Sequence, residues 1–166
     1  PLKKLSKERP LPNIFNVYTI GTVTLQFLIH FYVLTTIVYE SEERMPKLQE
    51  NEFIDLTAEY KPTIFNTCVY LISTAMQATT LMVNYKGNPF MISLFENKPL
   101  FYSIMTALGG VFFLSLGVGA DQLSLVTMES DLQYKFQQMF FFDLFGCLFV
   151  DRLLSFLFGY VNIKDL

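Results

Sequence analysis

Polar side chains recur at helical spacing within stretches of this chain that are otherwise apolar. The longest run is Asn66, Tyr70, Ser73, Gln77, Thr80 and Asn84, separated by four, three, four, three and four residues. In an α-helix this spacing places all members on one face. Shorter runs are Thr19, Thr22, Gln26 and His30, and Asp143, Cys147 and Asp151. Such faces can join helices by hydrogen bonds or line a transport path.

Four of these residues are candidates for a substrate pocket or an intramembrane polar network: Asn66, Gln77, Asn84 and Asp143. Asp143 lies about eight residues, or roughly 12 Å of helix, beyond Lys135. We expect its carboxyl group to be protonated, hydrogen-bonded or exposed to a hydrated cavity. It suits either a structural cap for a neighbouring helix or a cavity-lining role. Asp151 and Arg152 suit a structural anchor near the membrane surface.

The sequence predicts no catalytic residue and no metal site. It contains no Gly-rich phosphate loop, no nucleophile elbow and no His-Glu-x-x-His motif. His30 is the single histidine, and no Cys or Asp stands at ligand spacing from it along the chain. We therefore expect His30 to be a hydrogen-bonded bundle residue. Cys68 and Cys147 are expected to act as small apolar side chains, in neither a disulfide nor a metal cluster.

Four long stretches with few charges must position these residues. They cover residues 10–39, 62–85, 99–120 and 136–158. Each is long enough for the roughly 20 residues that cross a bilayer. Hydrophobic residues make up 52% of the 166 residues and charged residues 16%, and the charges lie mostly between the apolar stretches. Because lipid offers no hydrogen bonds to the backbone, the pattern predicts an all-α membrane protein with four transmembrane helices.

Prolines, glycines and charges set the predicted boundaries. Pro62 and Pro99 suit the first turns of helices. The predicted transmembrane helices are 13–39, 62–85, 99–119 and 135–158. The predicted connections are an acidic loop at 40–61, a loop at 86–99 and a loop at 120–134, with end segments at 1–12 and 159–166. A short surface helix is expected within 47–60 and an interfacial helical turn at 90–95.

Basic residues predict the orientation. Eight of the 12 Lys and Arg residues lie before the first span, in the loop at 86–99 or after the last apolar core. Because short cytosolic connections retain Lys and Arg, both ends are predicted to be cytosolic, with the acidic loops on the lumenal or outer side. The net charge of −3 does not indicate a nucleic acid partner, and the expected partner is the lipid bilayer. No secretory signal is visible at Pro1, and we expect the chain to be a piece of a longer protein.

The third predicted span is rich in small residues. They are expected to let helix backbones approach closely, and comprise Ser103, Ala107, Gly109, Gly110, Ser115, Gly117 and Gly119.

Particular strings resemble the C-terminal membrane region of type V-A P-type ATPases. The run KLSKERPLPNIFNVYT at residues 4–19 is similar to the start of the seventh core helix of that family. Lys61-Pro62, Asn66-Thr67, Met76-Gln77 and ENKPL at residues 96–100 resemble its eighth helix and the following cytosolic loop. Asp143, Asp151-Arg152 and Phe158-Gly159 resemble its tenth helix. The resemblance covers nearly the whole chain, in the order of helices seven to ten.

The resemblance implies a role in a larger enzyme. Members of this branch are endoplasmic-reticulum ATPases that use ATP and Mg²⁺, form a phospho-aspartate and extract mis-inserted transmembrane helices, and cation transport, including manganese, has also been proposed. This segment would be the static support of the pump. Its implied partners are the upstream helices, the cytosolic domains and client transmembrane helices. The alternatives are a stand-alone four-span scaffold or adaptor and a small channel.

Overall fold

The computed structural model describes residues 13–46, 61–87 and 91–158. Within them lie four α-helices, which are α1 (Val17–Glu42), α2 (Ile64–Asn84), α3 (Lys98–Ser115) and α4 (Ser130–Phe158), and a short 3₁₀ turn at Asp121–Leu123. The described part of the chain contains no strand. The predicted end segments at 1–12 and 159–166 and the predicted surface helix within 47–60 lie outside the described residues.

Side-chain caps set the starts of the first two helices. The Asn16 side chain accepts a hydrogen bond from the Thr19 backbone N–H at 2.8 Å, so α1 begins at Val17, four residues later than predicted. The Thr63 hydroxyl oxygen accepts from the Asn66 N–H at 3.1 Å and starts α2. These caps satisfy backbone donors that lipid would leave unpaired.

The connections differ from prediction at two places. Helix α3 ends at Ser115 because the backbone is left-handed at Gly117 and Gly119, with φ of +84° and +78°. Helix α4 begins at Ser130, so the third connection lies at residues 116–129 and not at 120–134. The interfacial helical turn expected at 90–95 is a single turn slightly later in the chain, at 94–96, where the Ser93 carbonyl accepts from the Asn97 N–H at 3.0 Å. The Ser93 N–H and hydroxyl both donate to the Glu96 carboxylate.

Helices α2 and α4 form the centre of the bundle. Both contact α1 on one side and α3 on the other, and α1 and α3 do not contact each other within the described ranges. The most deeply buried apolar side chains are Val33, Ile37, Leu71, Ile72, Leu132 and Phe136. They lie towards the end of the bundle where α1 finishes and α2 and α4 begin. We call this the Arg44 end, and the opposite end, where α2 finishes, the Lys86 end.

Glycines bring α1 and α4 close together. A methyl group at Gly21 would lie 3.1 Å from the Leu154 side chain, and one at Gly146 would lie 3.4 Å from Ile29. The expectation that small residues of the third span mediate close approach is wrong for Gly109 and Gly110. A methyl group added to either of them would meet no atom of another described helix within 4 Å. The close helix contact therefore occurs between the first and last helices.

The outer surface of the bundle is apolar. Helices α1 and α3 are long and apolar enough to cross a membrane, and only 22% of the most apolar stretch of each is buried. Large aromatic side chains point outwards on both α1 and α4, including Phe27, Phe31, Phe145 and Phe149. Such a surface is stable in lipid and unfavourable in water. The predicted all-α membrane fold is therefore confirmed, while the crossing of all four helices remains a prediction.

Candidate functional site

The polar faces of three helices meet in the bundle, where the α4 members are buried and the α2 members reach the surface. We call this line of contacts the polar seam. It comprises Tyr18, Thr22, Gln26 and His30 of α1, Thr80 and Asn84 of α2 with Lys86 just beyond, and Asp143, Cys147 and Asp151 of α4. The seam runs from the middle of the bundle to the Lys86 end.

The innermost part of the seam is a histidine–carboxyl pair. His30 Nδ1 lies 2.6 Å from Asp143 Oδ1, and the Asp143 side chain is fully buried. The other ring nitrogen, Nε2, lies 3.0 Å from the Thr80 hydroxyl and 3.9 Å from Cys147 Sγ. The two nitrogens are thus held by different helices, which fixes the orientation of the ring. A charged carboxyl group in this apolar setting requires such a partner.

His30 is a hydrogen-bonded residue of the bundle, as expected, and two potential metal ligands from α4 lie close to it. One donor atom from each of His30, Asp143 and Cys147 lies within 4.8 Å of the other two. Spacing along the chain could not show this, because Asp143 is 113 residues and Cys147 is 117 residues from His30. Cys147 therefore has polar neighbours, whereas Cys68 is buried in the apolar core, as expected.

The middle of the seam contains unused hydrogen-bonding capacity. The Asn84 amide donates to Gln26 Oε1 at 2.9 Å. Three buried polar atoms find no partner among the described residues, namely Thr22 Oγ1, Gln26 Nε2 and Asp143 Oδ2. An unpaired buried polar group costs about 1–3 kcal/mol, so each of these atoms favours a bound water or ligand.

At the Lys86 end, the seam closes with an ion pair. Tyr18 and Lys86 both donate to Asp151 Oδ1, at 2.8 Å and 2.7 Å. Asp151 is buried, while half of the Lys86 side chain is exposed. Burial lowers the pKa of Lys86, but hydrogen bonds with Asp151 and Tyr18 outweigh that effect, and its pKa is raised above the usual value. Lys86 therefore stays charged and joins α2 to α4, in keeping with an anchoring role for Asp151.

A second ion pair ties α1 to α4 at the Arg44 end. Arg44 contacts both Glu40, at 3.0 Å, and Asp131. The hydrogen bond from Arg44 is the largest effect on Asp131, and it lowers the pKa of that carboxyl group. The same contact, followed by that with Glu40, raises the pKa of Arg44.

The four predicted site residues do not form one pocket. Asn84 and Asp143 belong to the seam. Gln77 lies on the exposed face of α2, and Asn66 lies about 27 Å along the helix from Asn84. Asn66 lines a shallow depression of about 290 Å³ with Tyr70 and Leu123, near the Arg44 end.

Sequence reasoning missed the partners of Asp143. The available signal was a matching repeat, because Thr22, Gln26 and His30 recur every four residues, as do Asp143, Cys147 and Asp151. Two helices with matching four-residue polar repeats can pair along a single line. The repeats do not by themselves say which two helices pair.

An apolar exterior around a buried polar seam defines a helical domain of an integral membrane protein. No family model matches the chain. It is 33% identical over 98% of its length to the endoplasmic reticulum transmembrane helix translocase spfA of Aspergillus fumigatus, and 36% identical over 93% of its length to the endoplasmic reticulum transmembrane helix translocase of Schizosaccharomyces pombe. It is also 37% identical over 81% of its length to the probable manganese-transporting ATPase PDR2 of Arabidopsis thaliana.

The chain spans only 11–13% of the length of these relatives. Its similarity is nevertheless continuous, since 93% and 98% of the chain align with the two translocases. The chain belongs to the P-type ATPase family that the sequence strings indicated, and it corresponds to a membrane segment of such an enzyme.

Proposed function

We propose that this segment is the C-terminal membrane support of an ATP-driven pump that extracts mis-inserted transmembrane helices from the endoplasmic reticulum. In this proposal four helices cross the membrane and both ends of the segment are cytosolic. Upstream domains bind ATP and Mg²⁺ and carry the catalytic residues. The observation that carries the proposal is the similarity, over nearly the whole chain, to proteins named endoplasmic reticulum transmembrane helix translocases.

The contacts between the helices suit a static support. Helices α1, α2 and α4 are joined at three levels, by His30 with Asp143, by Gln26 with Asn84, and by Lys86 with Asp151. Close packing at Gly21 and Gly146 holds α1 against α4. Interhelical hydrogen bonds and small residues at contacts both favour fixed packing in lipid. The early helices of the pump would then move against this bundle.

The exposed polar face of α2 suits contact with the rest of the pump. Gln77, Thr80 and Asn84 are exposed on the surface of the described bundle. Polar side chains at membrane depth favour protein or water over lipid. The relatives are long enough to supply further helices, and we propose that this face forms part of the wall of the substrate groove. Asp143 is buried behind this face and acts by positioning α1 through His30.

The test uses the full-length protein that contains this chain, purified and reconstituted in lipid. Hydrolysis of ATP should be stimulated by a peptide corresponding to a mis-inserted transmembrane helix. Gln77→Leu should reduce this stimulation several-fold, whereas Phe145→Leu, on the outward apolar face, should not change it. Normal stimulation of ATP hydrolysis in Gln77→Leu would show that this face of α2 does not line the substrate groove. A full-length protein with no helix-stimulated hydrolysis would refute the proposed function.

Cation transport is the second candidate. The relative named as a probable manganese-transporting ATPase favours it. The same preparation distinguishes the two functions, since a cation pump should be stimulated by Mn²⁺ in the absence of any peptide. A stand-alone adaptor would show no ATP hydrolysis under either condition.

A further inference from the structure

We propose that His30, Asp143 and Cys147 form a binding site for one divalent cation of the Zn²⁺ type, which clamps α1 to α4 inside the bundle. This inference goes beyond the proposed function, because the site involves neither ATP nor a client helix. It rests on the donor atoms, their second contacts, the charge of the site and a route of access.

The three side chains offer the donor atoms that Zn²⁺ prefers. An imidazole nitrogen, a carboxylate oxygen and a thiolate sulfur lie within 4.8 Å of one another. Bonds of roughly 2.0–2.3 Å place the ligand atoms of a tetrahedral zinc about 3.5 Å apart. The longest separation in the cluster would therefore shorten by about an ångström, and the distance between His30 Nδ1 and Asp143 Oδ1 would lengthen by about the same amount. His30 Nδ1 and Asp143 Oδ1 already converge, at 2.6 Å. The cation would take the place of the proton between them.

Two further contacts complete the arrangement. His30 Nε2 lies 3.0 Å from the Thr80 hydroxyl, and a contact of this kind fixes the orientation of a metal-binding ring. Asp143 Oδ2 is buried and has no partner among the described residues. It therefore gives the carboxylate a second oxygen for the cation, and a water can supply the remaining ligand.

The charges of the site suit a cation within a membrane. A neutral imidazole, one thiolate and one carboxylate carry a total charge of −2, which one divalent cation neutralises. A neutral complex avoids the large cost of burying net charge in a medium of low dielectric constant. Binding releases the Cys147 thiol proton to water, while the imidazole keeps its single proton on Nε2, next to the Thr80 hydroxyl. The thiolate and imidazole donors favour Zn²⁺ or Co²⁺ over Mn²⁺ or Mg²⁺.

Among the described residues, buried polar groups lead to the cluster from the Lys86 end of the bundle. Between the cluster and the Lys86 end, Gln26 Nε2 and Thr22 Oγ1 are buried polar atoms with capacity for water. On the other side of the cluster, Val33, Ile37 and Phe136 are completely buried and apolar. A cation would therefore reach the cluster along the polar seam from the Lys86 end.

The experiment measures metal binding by the full-length protein, purified in detergent and treated with a chelator. Titration with Co²⁺ should give a thiolate charge-transfer absorption that saturates at one equivalent per protein. Zn²⁺ should displace the Co²⁺, and Mn²⁺ should not. Cys147→Ser should abolish the absorption, whereas Cys68→Ser, at an equally buried thiol outside the seam, should retain it. Asp143→Asn should weaken binding by at least about tenfold.

Retention of the absorption in Cys147→Ser, or unchanged affinity in Asp143→Asn, would overturn the proposal. Size-exclusion chromatography compares the folding of each variant with that of the unsubstituted protein. If either variant fails to fold, His30→Gln, which keeps a polar side chain, carries the same expectation of lost Co²⁺ binding. Because the readout does not depend on ATP hydrolysis, a negative result here leaves the proposed function intact, and failure of that function leaves this test valid.

Discussion

The two halves of the bundle are held together in different ways. Towards the Arg44 end, side chains such as Ile37, Leu71 and Phe136 form a continuous apolar core. Towards the Lys86 end, the same three helices meet through the polar seam. In lipid, apolar packing gains little from the removal of water and depends on close contact, whereas polar contacts depend on specific partners. The apolar half therefore fixes the shape of the bundle, and the polar half fixes which residues face each other.

The largest expected effect comes from the apolar half. Phe136→Ala removes a completely buried ring at the centre of the core and leaves a cavity, so it should lower the free energy of unfolding by about 3 kcal/mol. The measurement is the unfolding of the purified full-length protein in detergent. Unfolding is monitored through the reactivity of the Cys68 thiol, which becomes accessible as the core opens. Phe145→Ala, at an outward-facing ring, is the matched control and should change stability by less than about 0.5 kcal/mol. Equal effects would show that packing in this half is not specific.

The polar half should show coupling between its residues. His30→Leu leaves Asp143 buried without its partner, and Asp143→Leu removes the partner of His30 Nδ1, so each should cost about 2 kcal/mol. The double substitution should cost less than the sum, by about 1 kcal/mol or more, because it removes both unpaired groups together. The same unfolding assay provides all three values. Strict additivity would mean that the pair contributes nothing specific.

The smallest effect is expected at the exposed ion pair of the Arg44 end. The pKa of Asp131 is lowered by Arg44, so the pair stabilises the fold above the usual carboxyl pKa of 3.8 and loses that contribution as the pH falls through the lowered value. Asp131→Asn should therefore shift the unfolding midpoint by no more than about 2 °C at pH 7. The difference in unfolding midpoint between Asp131→Asn and the unsubstituted protein should become progressively smaller below pH 3.8. A difference that is constant with pH would exclude the ion pair as its cause.

Much of the fold could be predicted because lipid restricts the choice of structure. Charge-poor stretches and prolines indicated four helices, and each lies within a few residues of its predicted position. The errors occur where local backbone chemistry decides the boundary. The cap at Asn16 and the left-handed backbone at Gly117 depend on conformations that hydropathy does not report.

The site was predictable only in part. Helical spacing shows that Asp143 and Cys147 share a face, but it does not show which helix packs against that face. The contact between α1 and α4 depends on Gly21 and Gly146, whose role is visible only once the two helices are placed together. The sequence analysis instead predicted close helix contact at Gly109 and Gly110, because small residues are enriched at helix contacts in membranes.

The separation of His30 and Asp143 along the chain has a consequence for biosynthesis. Their 113-residue interval corresponds to about 6–23 s of translation at typical ribosome speeds. During that interval the newly made first helix must reside in the bilayer with its imidazole lacking the Asp143 carboxyl group, while the Gln26 amide gains its partner Asn84 after 58 residues. A nascent helix of this kind is itself a marginally inserted segment until its last neighbour is synthesised.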